Sequence, residues 1–249
     1  MQPETPLDRI GTIATRWSLL DRAHGGDEEV AQTARQQLLE RYGGAVRRYL
    51  RKVMSDPDAA DDVFQEFALR LMRGDLCGAT PDRGRFRNFV KGTLFHLISD
   101  HRKHERRWPR PLPDGSLEAG SDARNEESDR QFLESWRDEL LAHAWAALAD
   151  ADARTGQCCY DVLRFRAQHP EMRSGELAEE LAAQLGKPLS AAGVRQILHR
   201  ARERFAKLLL AEVQSSLDTL VCERVEAELV DVGLLEYCRP ALEACGGRS

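Results

Sequence analysis

The chain has 249 residues, of which 42% are hydrophobic, 31% are charged and 6% are aromatic. These values fit one or two small globular domains with a large polar surface, and they exclude a disulfide-stabilised miniprotein. The net charge of -5 excludes a surface uniformly coated with basic side chains, so a nucleic-acid site would have to depend on a local cluster.

No stretch of the sequence approaches the roughly 18 consecutive apolar residues of a membrane span. Residues 1–9 lack the basic-then-apolar order of a signal peptide. We therefore expect a cytoplasmic protein with no membrane partner.

Six cysteines are distributed along the chain without a CxxC pair. A cytoplasmic setting would keep them reduced, so we interpret them as buried or inert thiols, with a zinc site as the alternative. Cys158 and Cys159, with His169 nearby, lack a third group that would orient a nucleophile. Since no Ser/His/Asp or metal-spaced constellation occurs either, we expect no enzyme activity, no metal and no cofactor.

Helical periodicity runs over about 15–107 and again over about 130–235, and no convincing strand pattern interrupts it. Between the two segments, 108–129 reads WPRPLPDGSLEAGSDARNEESD, where proline, glycine and acidic residues predict a linker without a packed element. The predicted fold class is therefore all-α, with two small helical domains, a flexible linker and a helical extension over 214–249.

The first domain contains an amphipathic helix that begins with acidic residues, which the helix dipole favours. Its apolar stripe consists of Val63, Phe64, Phe67, Leu71 and Met72. Its opposite face carries Asp62, Gln65, Glu66, Arg70 and Arg73. Composition alone favours a solvated face here, since most charged helix faces only contact water.

Basic and aromatic residues alternate over 83–107. The end of this segment is locally positive, with Arg102, Lys103, Arg106 and Arg107 opposed by Asp100 and Glu105. Positive charge would bind phosphates, and the aromatic rings could stack on unpaired bases. The equally open alternative is that Phe86, Phe89 and Phe95 belong to the core and that the arginines only increase solubility.

In the second domain, Leu177, Leu181 and Leu185 line one face of a helix that Gly186 would end. Ser190 would cap a second helix, whose other face is basic. Its apolar line is Val194, Ile197, Leu198, Ala201, Phe205 and Leu208. Two helices joined by a short turn predict a helix-turn-helix that can enter the DNA major groove, with a plain scaffold as the alternative.

The N-terminal end of the basic helix is the part that would enter the groove. Arg195 and Gln196 lie there, where arginine can read guanine and glutamine can read adenine. Lys187, Arg200 and Arg202 are better placed for phosphates, which position a protein without specifying sequence.

Taken in order, these segments resemble the extracytoplasmic-function (ECF) class of bacterial sigma-70 family transcription initiation factors, which keep only regions 2 and 4 of the larger factors. Residues 60–71, ADDVFQEFALRL, resemble the family pattern AEDLVQEVFLRL of region 2. Residues 83–107 resemble its minus-10 recognition and melting segment, although Phe89, Phe95 and His96 depart from it, with Phe89 preserving an aromatic surface. Residues 190–202, SAAGVRQILHRAR, resemble the minus-35-reading helix of region 4.

The resemblance implies a sigma factor that binds core RNA polymerase and directs promoter recognition, DNA melting and transcription initiation. It implies region 2 over 12–107 and region 4 over 130–213. The linker over 108–129 would either thread into polymerase channels, with its acids mimicking nucleic acid, or act as a tether. A stand-alone helix-turn-helix regulator and a protein-only interaction module are the alternative functions.

The resemblance also implies three sets of contact residues. The set that binds core polymerase is Asp61, Asp62, Gln65, Glu66 and Arg70. The set that binds single-stranded minus-10 DNA is Arg85, Phe86, Arg87, Asn88, Phe89, Lys91, His96, Arg102, Lys103, Arg106 and Arg107. The set that binds duplex minus-35 DNA is Lys187, Ser190, Arg195, Gln196, His199, Arg200 and Arg202.

The extension over 214–249 is not required by the minimal family pattern. Apolar residues recur in it at helical spacing: Leu217, Leu220, Val221, Val225, Leu229 and Val232. A lone amphipathic helix must bury such a stripe. The extension would either act as a regulatory latch on one domain or enlarge the region 4 core. An anti-sigma factor is a further candidate partner.

Overall fold

The computed structural model describes residues 22–23, 25, 27–76, 85–107, 121–217 and 222–246. Within these residues the secondary structure consists of nine α-helices and no strand, which confirms the predicted all-α class. The helices are α1 (Glu28–Val53), α2 (Pro57–Arg73), α3 (Phe86–Arg107), α4 (Ser121–Thr155), α5 (Cys159–Gln168), α6 (Ser174–Leu185), α7 (Ala191–Gln214), α8 (Cys222–Asp231) and α9 (Leu235–Gly246). None of the described helices has the length and hydropathy needed to cross a bilayer.

The prediction that 108–129 contains no packed element is wrong for the last part of that segment. Helix α4 begins at Ser121, whereas 108–120 lies outside the described residues. An early turn of α4 carries an intrahelical ion pair, with Arg130 Nη2 at 2.6 Å from Glu127 Oε2. Acidic residues near a helix N-terminus are also favoured by the dipole. The acidic composition that follows the prolines of this segment is therefore compatible with a helix.

The described residues fall into two compact units. The first is built from those within Met1–Glu139 and Gln214–Val232, and the second from those within Leu140–Val213 and Gly233–Ser249. Helix α4 thus contributes its first part to the first unit and its second part to the second. The predicted boundary at residue 130 differs from this structural division.

The core of the first unit lies between α1, α2, α3 and the first part of α4. Large buried side chains of this core are Leu38, Tyr42 and Leu50 of α1, Phe67 of α2, Phe86 and Leu94 of α3, and Phe132 and Trp136 of α4. The ring of Tyr42 stacks on that of Trp136, with centroids 5.0 Å apart and planes at 3°. Phe86 lies 4.9 Å from Tyr42 on another side. These aromatic contacts join three helices of the unit.

Local sequence defines both ends of α2. Asp56 accepts a hydrogen bond from the backbone N–H of Asp58 at 3.0 Å, and Pro57 stands at the first position of the helix. Gly74 ends the helix in the left-handed conformation, with φ of 77°. The predicted apolar stripe is confirmed: Val63, Phe67 and Leu71 are buried, and Phe64 and Met72 are half-buried.

The core of the second unit lies between the second part of α4 and helices α5, α6, α7 and α9. Its fully buried side chains include Leu148, Val162, Leu177, Leu181, Val194, Ala201, Leu209 and Cys238. Gly186 ends α6 with φ of 62°, as predicted. The hydroxyl of Ser190 accepts a hydrogen bond from the Gly193 backbone N–H at 3.1 Å, which confirms the predicted cap of α7.

The C-terminal extension is divided between the two units. Helix α8 belongs to the first unit, where four members of the predicted stripe are buried: Leu217, Val225, Leu229 and Val232. Two other members, Leu220 and Val221, lie outside the described residues. Helix α9 belongs to the second unit, where the ring of Tyr237 meets that of Phe205 edge-on at 5.8 Å. The extension therefore does not pack as one element on a single domain.

Candidate nucleic-acid interface

Helix α2 presents a polar face opposite its buried stripe. This α2 polar face consists of Asp61, Asp62, Gln65, Glu66 and Arg70, of which Asp62, Gln65 and Glu66 are exposed and the other two half-buried. Arg70 Nε lies 2.6 Å from Glu66 Oε1, and Arg51 Nη2 lies 3.4 Å from Asp61 Oδ1. Ion pairs between exposed side chains contribute about 0–1 kcal/mol, so these pairs hold the face only weakly. Its charges are available to a partner.

The aromatic residues of α3 divide between core and surface. Phe86 is 4% exposed and packs on Tyr42, so the structure places this ring in the core, which argues against its predicted contact with DNA. Phe89 is half-buried. Phe95, by contrast, is 57% exposed. It was absent from the predicted contact set, although its position on the helix could have indicated its exposure.

The periodicity of α3 explains this division. Phe86, Val90, Leu94 and Leu97 recur at steps of three and four residues and form the buried face. Asn88, Phe95 and Arg102 recur at steps of seven residues, and all three are exposed. We call these three residues the α3 stripe. It places an amide, an aromatic ring and a guanidinium along one side of the helix.

The other predicted minus-10 residues of α3 differ in their exposure to solvent and in their ion pairs. His96 and Lys103 are exposed, and Lys103 Nζ lies 3.4 Å from Asp100 Oδ1. Lys91 is half-buried, with its Nζ at 2.8 Å from Asp129 Oδ2. The side chains of 105–107, which include Arg106 and Arg107, lie outside the described residues.

Two predicted DNA contacts are instead paired with acidic residues of α8. Arg85 Nη1 lies 3.0 Å from Glu228 Oε2 and also contacts Asp231. Arg87 Nη2 lies 3.0 Å from Asp231 Oδ2 and 3.4 Å from Glu228 Oε2. The Arg87 side chain is only 6% exposed, so it is not accessible to DNA in this conformation of the chain, and its predicted DNA contact stays a prediction.

The pairs with Arg85 and Arg87 lower the pKa of Asp231. Burial alone would raise the pKa, but the hydrogen bond from Arg87 and the positive charge of Arg85 outweigh it and hold the pKa below its usual value. The carboxylate of Asp231 is therefore charged across the neutral pH range.

In the second unit, residues 186–190 join α6 to α7. The exposed side of α7 carries a basic face that consists of Arg195, Gln196, His199, Arg200 and Arg202. Lys187 is exposed in the connection. Arg204 is turned away from this face, with its Nη1 donating to Gln157 Oε1 at 2.7 Å. The predicted minus-35 residues, the cap Ser190 included, are thus all exposed on or next to one helix.

A cavity of about 370 Å³ lies beside this basic face. Its lining residues are Arg166, Pro170, Ser174, Arg195, Leu198, His199 and Arg202. Arg166 of α5 was missed by sequence reasoning, because no pattern within its own helix relates it to α7. Its Nη1 donates to the backbone carbonyls of Pro170 at 3.1 Å and Met172 at 2.6 Å. The cavity therefore offers three guanidinium groups to an anion, one of which is held in place by carbonyl groups.

The described cysteines fit the predicted inert thiols. Cys159 and Cys238 are buried and Cys158 is half-buried. Burial raises the pKa of all three thiols, to about 11 for Cys238. Cys77 and the side chains of Cys222 and Cys245 lie outside the described residues.

Residues 38–107 match the family model of sigma-70 region 2. The matched stretch begins within α1 and includes all of α2 and α3, so it contains both the α2 polar face and the α3 stripe. No curated protein and no solved structure matches the chain. The two polar surfaces of the first unit thus lie within the stretch that matches sigma-70 region 2, and this match supports a sigma-70 family sigma factor.

Proposed function

We propose that the protein is an ECF-class sigma factor of the cytoplasm, which binds core RNA polymerase and directs it to promoters without performing covalent chemistry itself. The observation that carries the proposal is the region 2 match over 38–107, in which two helices bury their apolar sides and expose two chemically different polar surfaces. In this proposal each exposed surface has its own partner.

The α2 polar face is the proposed contact with polymerase. It combines three carboxylates with a guanidinium and an amide, all outside the apolar stripe of the helix. Because its internal ion pairs are weak, a partner can replace them at little cost. Charge complementarity would guide the encounter and fix the register of the complex.

The α3 stripe is the proposed contact with the unpaired minus-10 strand. Stacking of a base on an aromatic ring contributes about 1–3 kcal/mol, and extruding a base from a duplex costs a few kcal/mol. Phe95 supplies an exposed ring, and Arg102 supplies a charge for the phosphate backbone. Together they can offset the cost of opening the duplex.

Helices α6 and α7 are the proposed helix-turn-helix of region 4. Arg195 and Gln196 would meet base edges of the minus-35 duplex, while Lys187, Arg200 and Arg202 would contact phosphates. The cavity beside α7 supports this assignment, because Arg195, proposed to read a base, and Arg202, proposed to contact a phosphate, both line it. A backbone phosphate at this cavity would fix the depth at which the helix enters the groove.

A charge-reversal variant tests the polymerase contact. We expect Asp62→Lys together with Glu66→Lys to abolish capture of core RNA polymerase in a pull-down and to abolish run-off transcription, while the circular dichroism spectrum stays unchanged. The control is Glu29→Lys with Glu40→Lys, which changes the charge equally on exposed positions of α1. It should keep polymerase binding.

Three other outcomes would contradict the proposal. If the wild-type chain bound an operator duplex but no polymerase, it would be a stand-alone regulator. If it bound neither, a protein-only interaction module would be the better function. Loss of the helical signal in the reversed variant would show that these acids maintain the fold.

A further inference from the structure

Helix α8 lies within the first unit although it comes from the C-terminal extension. Val225, Leu229 and Val232 hold it there, with exposed fractions of 1%, 0% and 2%. The helix has ten residues, and isolated helices shorter than about 12–15 residues are marginal in water. Helix α8 therefore depends on this packing, and a competitor that loosens the contact would also tend to unfold the helix.

The polar contacts of α8 converge on the start of α3. Glu228, which is 1% exposed, and Asp231 lie against Arg85 and Arg87, both in the region that resembles the minus-10 segment. A guanidinium binds a carboxylate and a phosphate with the same charge-assisted hydrogen bonds. The two carboxylates thus stand where nucleic-acid phosphates would bind if α8 were absent.

The pairing is incomplete on both sides, since Glu228 Oε2 is also buried without a hydrogen bond among the described residues. Nε and Nη1 of Arg87 are buried without a hydrogen-bond partner among the described residues. Leaving buried donors unsatisfied opposes the stability of the contact. The docked state of α8 is therefore held by its apolar residues and two carboxylates while the guanidinium of Arg87 keeps unused donors, which favours exchange for a ligand with more acceptor oxygens.

We propose that α8 competes with promoter DNA for Arg85 and Arg87, and that its release precedes capture of the single strand by the α3 stripe. The proposal rests on the function proposed above and specifies how the same site is regulated. Arg85 directly precedes α3, and the first residue of the α3 stripe, Asn88, follows Arg87 by one position. A strand that contacts the stripe can therefore continue onto the two arginines once α8 has left.

The test uses the full chain with Glu228→Gln and Asp231→Asn, two substitutions that keep the size of the side chain and one acceptor oxygen but remove the charge. The probe is a fluorescein-labelled random-sequence pool of single-stranded DNA, followed by anisotropy over a range of salt concentrations. We expect affinity to increase by about 5- to 150-fold, the usual range of coupling between two sites. We expect the slope of log K against log salt to steepen by about 0.7 for each additional phosphate contacted.

The matched control is Glu236→Gln with Glu243→Gln, which removes two charges from exposed positions of α9 in the same extension, where Glu236 pairs with Arg239 at 2.6 Å. It should leave DNA affinity unchanged. A second measurement uses the wild-type chain, so it does not depend on the variant folding. Amide hydrogen exchange in 222–232 should become faster when the DNA pool is added.

The results separate this proposal from the function on which it rests. Unchanged DNA affinity of the variant, or unchanged or slower exchange of α8 in the presence of DNA, overturns the competition even if wild-type protein still captures core polymerase. Failure of the wild-type chain to capture polymerase overturns the proposed function instead. A gain in affinity with faster α8 exchange supports the competition.

Discussion

Replacing Trp136 by alanine tests whether the first part of α4 belongs to the first unit. Trp136 is 1% exposed, stacks on Tyr42 at 5.0 Å and lies 5.9 Å from the ring of Phe132. Removing a buried tryptophan costs about 3–5 kcal/mol, and three aromatic contacts, the third with Phe86 at 6.1 Å, place this site toward the upper end. A domain is stable by about 5–15 kcal/mol in total, so the first unit should lose a large part of its stability.

Hydrogen exchange detected by mass spectrometry can assign the loss to one unit. The matched control is Trp145→Ala on the same helix, since the ring of Trp145 lies 4.5 Å from Phe205 and 5.7 Å from Tyr160, all in the second unit. We expect Trp136→Ala to accelerate exchange in α1, α2 and α3. We expect Trp145→Ala to accelerate exchange in α5 and α7.

The opposite pattern would refute the structural reasoning. If Trp136→Ala left exchange in α1 unchanged and accelerated it in α7, the segment from residue 130 onward would belong to the second domain, as the sequence predicted. Equal acceleration in both units would show that the chain unfolds as one cooperative body. The two parts of α4 would then not belong to units that unfold independently.

Two further predictions concern single side chains of the second unit. Arg195→Ala or Gln196→Ala should weaken binding of the holoenzyme to its own promoter by about 1–3 kcal/mol. Arg202→Ala should weaken binding to all duplexes alike. Competition between promoter and random duplexes for the holoenzyme measures both effects. Burial raises the pKa of Cys238 to about 11, so its thiol should react with iodoacetamide far more slowly than that of half-buried Cys158, as peptide mass spectrometry would show. If Arg195→Ala or Gln196→Ala weakened binding to promoter and random duplexes equally, the base-reading assignment would be contradicted. If Cys238 and Cys158 were alkylated at the same rate, the expected difference in thiol reactivity would be contradicted.

Features set by neighbouring residues could be predicted from the sequence. The stop of α6 at Gly186 and the cap of α7 at Ser190 depend on one residue each, and both are present as predicted. The stripe of α2 depends on helical spacing, which an amphipathic helix expresses directly. Helical spacing would also have separated Phe86 from Phe95, since only Phe86 continues the period of Val90 and Leu94.

The start of α4 could not be predicted in the same way. Composition over 108–129 indicates a linker, but a helix of this length is stabilised by what it packs against. Tyr49 Oη and Ser128 Oγ lie 2.7 Å apart, and Lys52 Nζ lies 3.3 Å from Glu134 Oε2, so partners on α1 support the early turns of α4. Such long-range contacts stabilise the helix despite its local composition, and the composition of 108–129 gives no indication of them.

The charge available to DNA is likewise a tertiary property. Counting the cations of 83–107 assumes that each one is free, yet Lys91 pairs with Asp129, and Arg85 pairs with Glu228 and Asp231. The partners of both cations lie outside the region 2 match. Since DNA affinity depends on the number of phosphates neutralised, each internal pair lowers the affinity of the free chain. Under the proposed function, we therefore expect promoter DNA to bind this segment fully only after the pairs of Arg85 and Lys91 are exchanged, so that the order of contacts, and not the number of basic residues, would determine when the duplex opens.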